Sequence, residues 1–370
     1  MAVFRFMVAG GGTGGHVFPG IAVADALARR VRDLDVCWVG TEKGIEARIL
    51  PTTPWRFEPM VLSGLNGVRG RALLAALGKL PPAGLQAFKL VRAFRPHAVL
   101  GVGGYAGGPM VALAAAMRVP TAVLEPNAIP GLTNRLLSRV VRRAFVTHDE
   151  TQGAFPRGVA MVTGSPVRRA FLTRIGGFMM GTAAPVTAPS LLVLGGSQGA
   201  RAINEVMPDT VAALRARGLA CKVIHQTGTA SRDAVAAAYA ARGLDVEVRA
   251  FIDDVASVME AASLVICRAG AMTVAELGVL GKPAIYIPLP TAADDHQRKN
   301  AEAMEARGAA RCLAQSALTA ERLAEMAAEI IGDTEKLRAM GDAAWRSARP
   351  DAAGVIADEL LTLSGWDDQS

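Results

Sequence analysis

The chain has 370 residues, 51% of them hydrophobic and 20% charged, which excludes a mostly disordered polymer and leaves room for two large cores. The formal charge of +7 is unevenly placed: residues 1–165 hold 19 Lys/Arg and 9 Asp/Glu, a balance of +10, and the rest hold 21 and 24, a balance of −3. An acid-poor first half calls for an anionic partner, whether nucleic acid, a phosphate-bearing substrate or anionic lipid, and aromatics at only 5% argue against an RNA binder built on base stacking.

In chain order, the predicted strands of the first half are Phe4–Ala9, Val36–Val39, Ala98–Val102, Thr121–Leu124 and Ala144–Thr147. Those of the second half are Leu191–Leu194, Lys222–Gln226, Glu247–Ala250, Leu264–Cys267 and Ala284–Ile287. Amphipathic helical stretches separate most of them. Nearly continuous apolar strands alternating with helices predict parallel sheets covered on both faces. The N-terminus MAVFRFMVAGGGTGG is too short an apolar run for a signal peptide. The uncharged stretch 98–117 is long enough to span a bilayer, but its glycines and Pro109 divide it into a strand and a helix. Cys37, Cys221, Cys267 and Cys312 lack metal-ligand spacing and read as small, mostly buried residues of a reducing compartment.

The first strand runs into Gly10-Gly11-Gly12-Thr13-Gly14-Gly15-His16, which contains a literal G-x-G-x-x-G. A dinucleotide site also needs an acid at the carboxyl end of the second strand. That strand ends in Val39-Gly40, and Asp35 stands at its beginning, so the NAD reading fails its second test. The general physics survives: glycines let the backbone approach a phosphate, and the following helix offers unpaired N–H groups and positive dipole. His16 in the first helical turn is a candidate general base for an acceptor hydroxyl. A second turn, Gly101 to Pro109, includes Gly103, Gly104 and Tyr105. A third, Gly195-Gly196-Ser197-Gln198-Gly199-Ala200, restarts the strand–turn–helix pattern half a chain later. Three such turns predict phosphate chemistry with two phosphorylated ligands. A tight strand–helix connection is the plain alternative for any one of them.

Other polar loops follow strands. EPNAIPGLTNR offers Asn127 to a sugar, and Gly164-Ser165-Pro166-Val167-Arg168 places Arg168 within reach of a diphosphate. Asp253 and Asp254 read as a helix N-cap, with Ile252 beside them able to contact a base. Gly270 through Thr273 form a strand–helix turn, with Glu276 positioned either for a ribose diol or for the helix dipole. Asp294, Asp295 and His296 could ligate a metal. The preferred reading is a polar helix start with Gln297 facing a sugar. The charge-free segment between Arg174 and Ser190 reads as a linker. The expected layout is an N-terminal domain at 1–165, a linker at 166–190 and a C-terminal domain at 191–344, with a helix at about 345–366 returning to the first domain.

GGTGGHVFPG, GVGGYAGGP, EPNAIPGLTNR, TGSPVR, GGSQGA, FIDD, CRAGAMTVAE and DHQRKNA, in this order along nearly the whole chain, resemble the MurG family of N-acetylglucosaminyltransferases. The resemblance implies the GT-B fold, two Rossmann-like parallel-sheet domains facing across a cleft. It implies inverting transfer of N-acetylglucosamine from UDP-GlcNAc to the muramoyl 4-hydroxyl of undecaprenyl-diphospho-MurNAc-pentapeptide (lipid I), which makes lipid II for peptidoglycan. Carried over by motif, Ser197, Gln198 and Gly199 meet the UDP phosphates with Arg168 nearby, Ile252 the uracil and Glu276 the ribose. Ala271, Met272 and Thr273 line the donor site, joined by Thr13, Gly14 and Gly15, while Gln297 and Asn127 hold the sugar hydroxyls. His16 is the catalytic base, and Gly12, Gly103, Gly104 and Tyr105 serve the acceptor. The family often has Ser where Ala269 stands and in some members Gln where His296 stands, and the linker is longer and more apolar than its pattern.

The resemblance requires no cofactor and neither demands nor excludes a divalent metal. Its partners are UDP-GlcNAc, lipid I, an anionic membrane surface and other cell-wall synthesis proteins; nucleic acid drops out. A lipid-linked acceptor implies a peripheral protein on the cytoplasmic face of the cell membrane. The expected contact is the basic, apolar segment Arg69–Arg95, through Leu73, Leu77, Lys79, Phe88, Lys89 and Arg92, where each basic residue near anionic lipid contributes about 1 kcal/mol. Its alternative is that these apolar residues face the sheet. A UDP-GlcNAc 2-epimerase-like enzyme and a non-catalytic UDP-sugar-binding membrane scaffold are the competing functions.

Overall fold

The computed structural model describes residues 3–60, 80–104, 107–175, 189–196, 199–292 and 295–367, with side chains of the helix at 80–94 described from residue 84. Ser197, Gln198, Tyr105, Leu73, Leu77, Lys79, Asp294 and most of the linker lie outside these residues. The chain divides into two units, one of Met1–Arg168 with Arg349–Ser370 and one of Arg169–Ala348.

The first unit holds strands β1 Phe4–Gly10, β2 Leu34–Thr41, β3 Arg56–Met60, β4 Ala98–Gly103, β5 Thr121–Glu125, β6 Arg143–Val146 and β7 Ala160–Val162. They form one sheet in the order β3-β2-β1-β4-β5-β6-β7, with every pairing parallel. Both sheet faces are apolar, as parallel sheets require. Phe4, Phe6, Val8, Val36 and Trp38 pack on one face with Val17, Val23 and Leu27 of the helix Gly14–Leu27 and with Ile356 and Leu360 of the helix Ala352–Ser364. The chain's last helix is thereby built into the first unit's core. Met7, Ala9, Val39 and Val123 pack on the other face, under the helices Leu80–Phe94, Gly107–Ala116 and Leu132–Leu137.

The second unit holds β8 Ser190–Leu194, β9 Lys222–Gln226, β10 Glu247–Arg249, β11 Leu264–Cys267, β12 Ala284–Tyr286 and β13 Ala310–Cys312. Its sheet runs β10-β9-β8-β11-β12-β13, again parallel throughout. The helices Arg201–Ala216 and Ala320–Ile331 cover one face, burying Ile203, Met207, Leu323 and Ile330 against Leu191, Val193 and Ile266.

The sequence reading omits β3, β7 and β13, which are edge strands in their sheets. Edge strands need less apolar sequence, and β3 carries Pro59, which a central strand would not tolerate. The C-terminal part of the chain folds into the helices Ala320–Ile331, Thr334–Ser347 and Ala352–Ser364, the last covering most of the helix expected at about 345–366. The uncharged stretch at 98–117 contains β4 and the helix Gly107–Ala116, and among the described residues no helix is long and apolar enough to cross a membrane. All four cysteines are free thiols; Cys37 and Cys267 are buried and Cys221 and Cys312 half-buried.

Candidate functional site

In open parallel sheets, ligands bind beyond the carboxyl ends of the strands where the strand order reverses. In the first unit that point lies between β1 and β4, so the turns after these two strands occupy it. The β1–β4 register skips Val102 at this end, pairing Ala9 with Gly101 and Gly10 with Gly103. The Gly11 N–H donates to the Gly103 carbonyl (3.1 Å), and a Cβ on Gly10 would stand 2.0 Å from the Gly103 oxygen. The two turns touch backbone to backbone, a proximity that only glycine allows.

His16 sits half-buried in the first turn of the helix Gly14–Leu27, its ring against Gly103. Its Nδ1 lies 2.9 Å from the Gly11 carbonyl and 3.4 Å from Thr13 Oγ1. A carbonyl only accepts, so Nδ1 is assigned the proton and Nε2 the lone pair, the tautomer a general base needs. No acidic side chain occupies that helix's first turn, and Thr13 makes no side-chain cap; the Glu46 carboxylate lies just before it, on the Gly12 N–H. His16, Gly12, Thr13, Gly14, Gly15, Gly103 and Gly104 therefore gather at one strand-end cluster.

Two buried carboxylates with no assigned role in the sequence reading hold this edge in shape. Glu46 accepts from the Gly12 N–H (2.6 Å), the Thr41 N–H (2.8 Å) and the Thr41 hydroxyl (2.9 Å). Glu125, the last residue of β5, accepts from the N–H and amide of Asn127 (both 3.1 Å), the Gly131 N–H (2.9 Å) and the Asn134 amide (2.9 Å). Asn127 is therefore fixed beside the neighbouring strand end, β5 pairing directly with β4. Arg168 belongs to the first unit, where its guanidinium lies 4.6 Å from the Phe18 ring centroid, an attractive stacking geometry.

In the second unit the order reverses between β8 and β11. Gly195, Gly196 and Gly199 follow β8, and Ala271, Met272, Thr273 and Glu276 follow β11 on the helix Ala271–Val279. Gly199 (φ 76°) passes so close to β9 that a Cβ would stand 2.0 Å from the Thr227 carbonyl oxygen. Gln226, the expected last residue of this strand but not among the expected site residues, ends β9. Its amide donates to the Gly196 carbonyl (2.9 Å) and its Oε1 accepts from the Ile252 N–H (3.2 Å). Beneath it His225 bridges Asn204 Oδ1 (3.1 Å) and the Tyr239 hydroxyl (3.0 Å); burial pushes its imidazole down to about 4.

Glu276 and Met272 are buried, and Ala271 and Thr273 half-buried, on the first two turns of their helix. Gln297 Oε1 accepts from the Leu289 N–H (3.1 Å), and Arg268 donates to the Ile287 and Pro288 carbonyls (2.9 and 3.1 Å). The loop after β12 is so held against the end of β11. Asp254 caps the helix Val255–Ala261, accepting from the Ser257 N–H (3.1 Å). Asp295 pairs with Arg298. The site residues thus form two groups: Gly12 to His16, Gly103, Gly104, Asn127 and Arg168 in the first unit, and Gly199, Ile252, Ala271 to Thr273, Glu276 and Gln297 in the second.

On the first unit's helix Leu80–Phe94, Ala87, Val91 and Phe94 face the core. Leu85, Phe88, Lys89 and Arg92 are exposed, so Leu85 and Phe88 do not face the sheet. The helix Leu132–Leu137, on the same sheet face, exposes Leu132 and Leu136 (57% and 67%), with Val140 (52%) a turn further on.

Models of the glycosyltransferase family 28 N-terminal and C-terminal domains match residues 6–146 and 190–356. A relative from Pelobacter propionicus, named UDP-N-acetylglucosamine--N-acetylmuramyl-(pentapeptide) pyrophosphoryl-undecaprenol N-acetylglucosamine transferase, is 44% identical over 97% of this chain and 99% of its own. A relative of the same name from Anaeromyxobacter dehalogenans is 46% identical over 97% and 93%. The solved MurG of Acinetobacter baumannii superposes with a TM-score of 0.80 at 30% identity, covering 97% of this chain and 99% of that one. The chain belongs to the MurG family. Its two parallel sheets are the two halves of the GT-B fold, and the family makes it a glycosyltransferase. A UDP-GlcNAc 2-epimerase from Neisseria meningitidis, solved bound to UDP-GlcNAc, shares that fold at 13% identity (TM-score 0.69, 97% and 100% covered), a likeness of fold alone.

Proposed function

We propose that this MurG-family chain transfers N-acetylglucosamine from UDP-GlcNAc to the muramoyl 4-hydroxyl of lipid I, giving lipid II with inversion at the anomeric carbon. The observation that carries this reading is the full-length likeness to transferases of that name, in a chain that keeps a glycine turn at the switch point of each sheet.

The first unit takes the acceptor. The turns through Gly12, Gly103 and Gly104 receive the lipid diphosphate, and His16 Nε2 removes the proton from the attacking hydroxyl. The second unit takes the donor. The turn through Ser197, Gln198 and Gly199 receives the UDP phosphates, and charge that builds on the departing diphosphate is stabilised by backbone N–H groups and the helix that follows. The Ile252 N–H already donates to Gln226, so the uracil is recognised through the Ile252 carbonyl. Glu276 accepts from the ribose, Ala271, Met272 and Thr273 shape the pocket, and Asn127 and Gln297 hold the sugar. The reaction is a single in-line displacement, with Arg168, Thr13, Gly14 and Gly15 supporting the donor and Tyr105 the acceptor.

The protein works peripherally at the cytoplasmic face of the membrane, alongside other cell-wall synthesis proteins. Exposure of Leu85, Phe88, Lys89 and Arg92 supports a lipid-facing surface on that helix. Leu132, Leu136 and Val140, flanked by Arg135 and Arg139, are a second exposed apolar and basic stripe on the same sheet face. Incubating the protein with radiolabelled UDP-GlcNAc and a short-chain lipid I analogue tests the reaction: a labelled lipid II analogue with a β-linked sugar is expected, and intact acceptor overturns the reading.

A further inference from the structure

We infer that Gln226 is a positioning residue that couples the diphosphate and nucleobase subsites of the second unit, an inference that rests on the donor assignment above. β9 lies between β8 and β10 in the sheet, so its last residue stands between the two loops that follow those strands. The Gln226 carboxamide engages both: it donates to the Gly196 carbonyl at 2.9 Å and accepts from the Ile252 N–H at 3.2 Å. A carboxamide carries a donor and an acceptor on one rigid plane, whereas neither an ionised carboxylate nor an alkyl side chain can make both bonds. The backbone continues the link, with the Gly195 N–H donating to the Gln226 carbonyl (3.1 Å) and the Thr227 N–H to the Arg249 carbonyl (3.0 Å).

Gln226 is buried, and its amide bonds run to backbone groups of the two loops, so it acts by holding those loops. It fixes how far the Gly196 turn stands from the Ile252 loop, which is the spacing a nucleoside diphosphate must match. A base alone or a diphosphate alone uses one loop and does not sense that spacing.

The test compares wild type with Gln226→Glu, which keeps an acceptor for Ile252 but removes the donor to Gly196, and with Gln226→Leu, which removes both. Calorimetry measures UDP, uridine and pyrophosphate binding, and steady-state kinetics measure transfer to a lipid I analogue. Loss of one buried hydrogen bond predicts UDP binding and the UDP-GlcNAc KM weakened by about tenfold. Uridine and pyrophosphate binding, kcat and the lipid I KM should change by less than about twofold. Equal UDP affinity in wild type and a folded Gln226→Glu overturns the inference alone. A proportional loss for all three ligands, or a fall in kcat with the lowered melting temperature of a damaged fold, also overturns it by making the role merely structural. Wild type that does not bind UDP overturns the donor assignment and this inference with it.

Discussion

The residue that most directly links the first unit's geometry to chemistry is His16. The Gly11 carbonyl at 2.9 Å fixes its tautomer, leaving Nε2 as the basic nitrogen. Replacing it by Ala should lower kcat by on the order of 10²–10⁴, the range for loss of a general base, with UDP affinity measured by calorimetry unchanged. Transfer at the wild-type rate would remove His16 from the mechanism. His225 makes a different prediction. Burial holds its folded imidazole near 4, against about 6.5 in an unfolded chain. The unfolded state therefore binds the extra proton first as pH falls. The stability contributed by the neutral, buried ring is complete above about 6.5 and is lost as pH falls from there toward 4, by on the order of 3 kcal/mol. His97, lowered by burial and by Arg5, acts in the same direction. Thermal unfolding from pH 7 to 4 should show a steep decline in wild type and a shallower one in His225→Gln; parallel curves would assign the decline to other groups. None of the three partners His225, Gln226 and Glu46 could be inferred from sequence, because each depends on segments that only the fold brings together. A local clue is a polar residue ending a strand, as in TAVLE for Glu125 and KVIHQ for Gln226. Glu46 has a different one, small neighbours at Gly40 and Gly44, where a Cβ would stand within 2.7 Å and 2.1 Å of the Glu46 side chain.

At the scale of elements, the two outer helices of the first unit carry a prediction about lipid. Leu132 and Leu136 lie one helical turn apart and Val140 one turn beyond, with Arg135 and Arg139 between them. Exposed apolar side chains interleaved with arginines fit an anionic lipid surface better than bulk water. Leu136→Asp combined with Arg139→Glu should reduce sedimentation with phosphatidylglycerol vesicles severalfold. Leu136 is exposed, so the melting temperature should stay within about 1 °C of wild type. Undiminished vesicle binding would exclude this face. In sequence, lipid contact is expected on the Arg69–Arg95 segment and this stripe does not stand out, because the short helix Leu132–Leu137 looks like part of a sugar-binding loop until Leu137 and Asn134 are seen facing inward. The central strands and all three glycine turns were legible, since apolar runs ending in glycine are local signals. The edge strands β3, β7 and β13 were not, being short, polar or interrupted by Pro59 and held by a single neighbour each.

For the whole molecule, the chain builds the same device twice: a parallel sheet whose order reverses once, with a glycine turn and a helix start at the reversal. The charge imbalance fits a division of labour. The first unit carries the basic excess, suited to a lipid diphosphate and an anionic surface. In the proposed reaction the second takes a soluble nucleotide-sugar through backbone donors, a task that needs little net charge. The return of residues 349–370 into the first unit, burying Ile356 and Leu360 beside Phe4 and Leu27, ties the chain's end to its beginning. In the proposed reaction, donor cleavage is transfer to one hydroxyl. It is tested most directly by following UDP release and the fate of the sugar with a lipid I analogue and with its counterpart lacking the muramoyl 4-hydroxyl. Rapid UDP release with a disaccharide-bearing lipid product is expected from the first, and only background release from the second. UDP release that ignores the missing hydroxyl, or conversion of UDP-GlcNAc to its 2-epimer without any lipid, would contradict it.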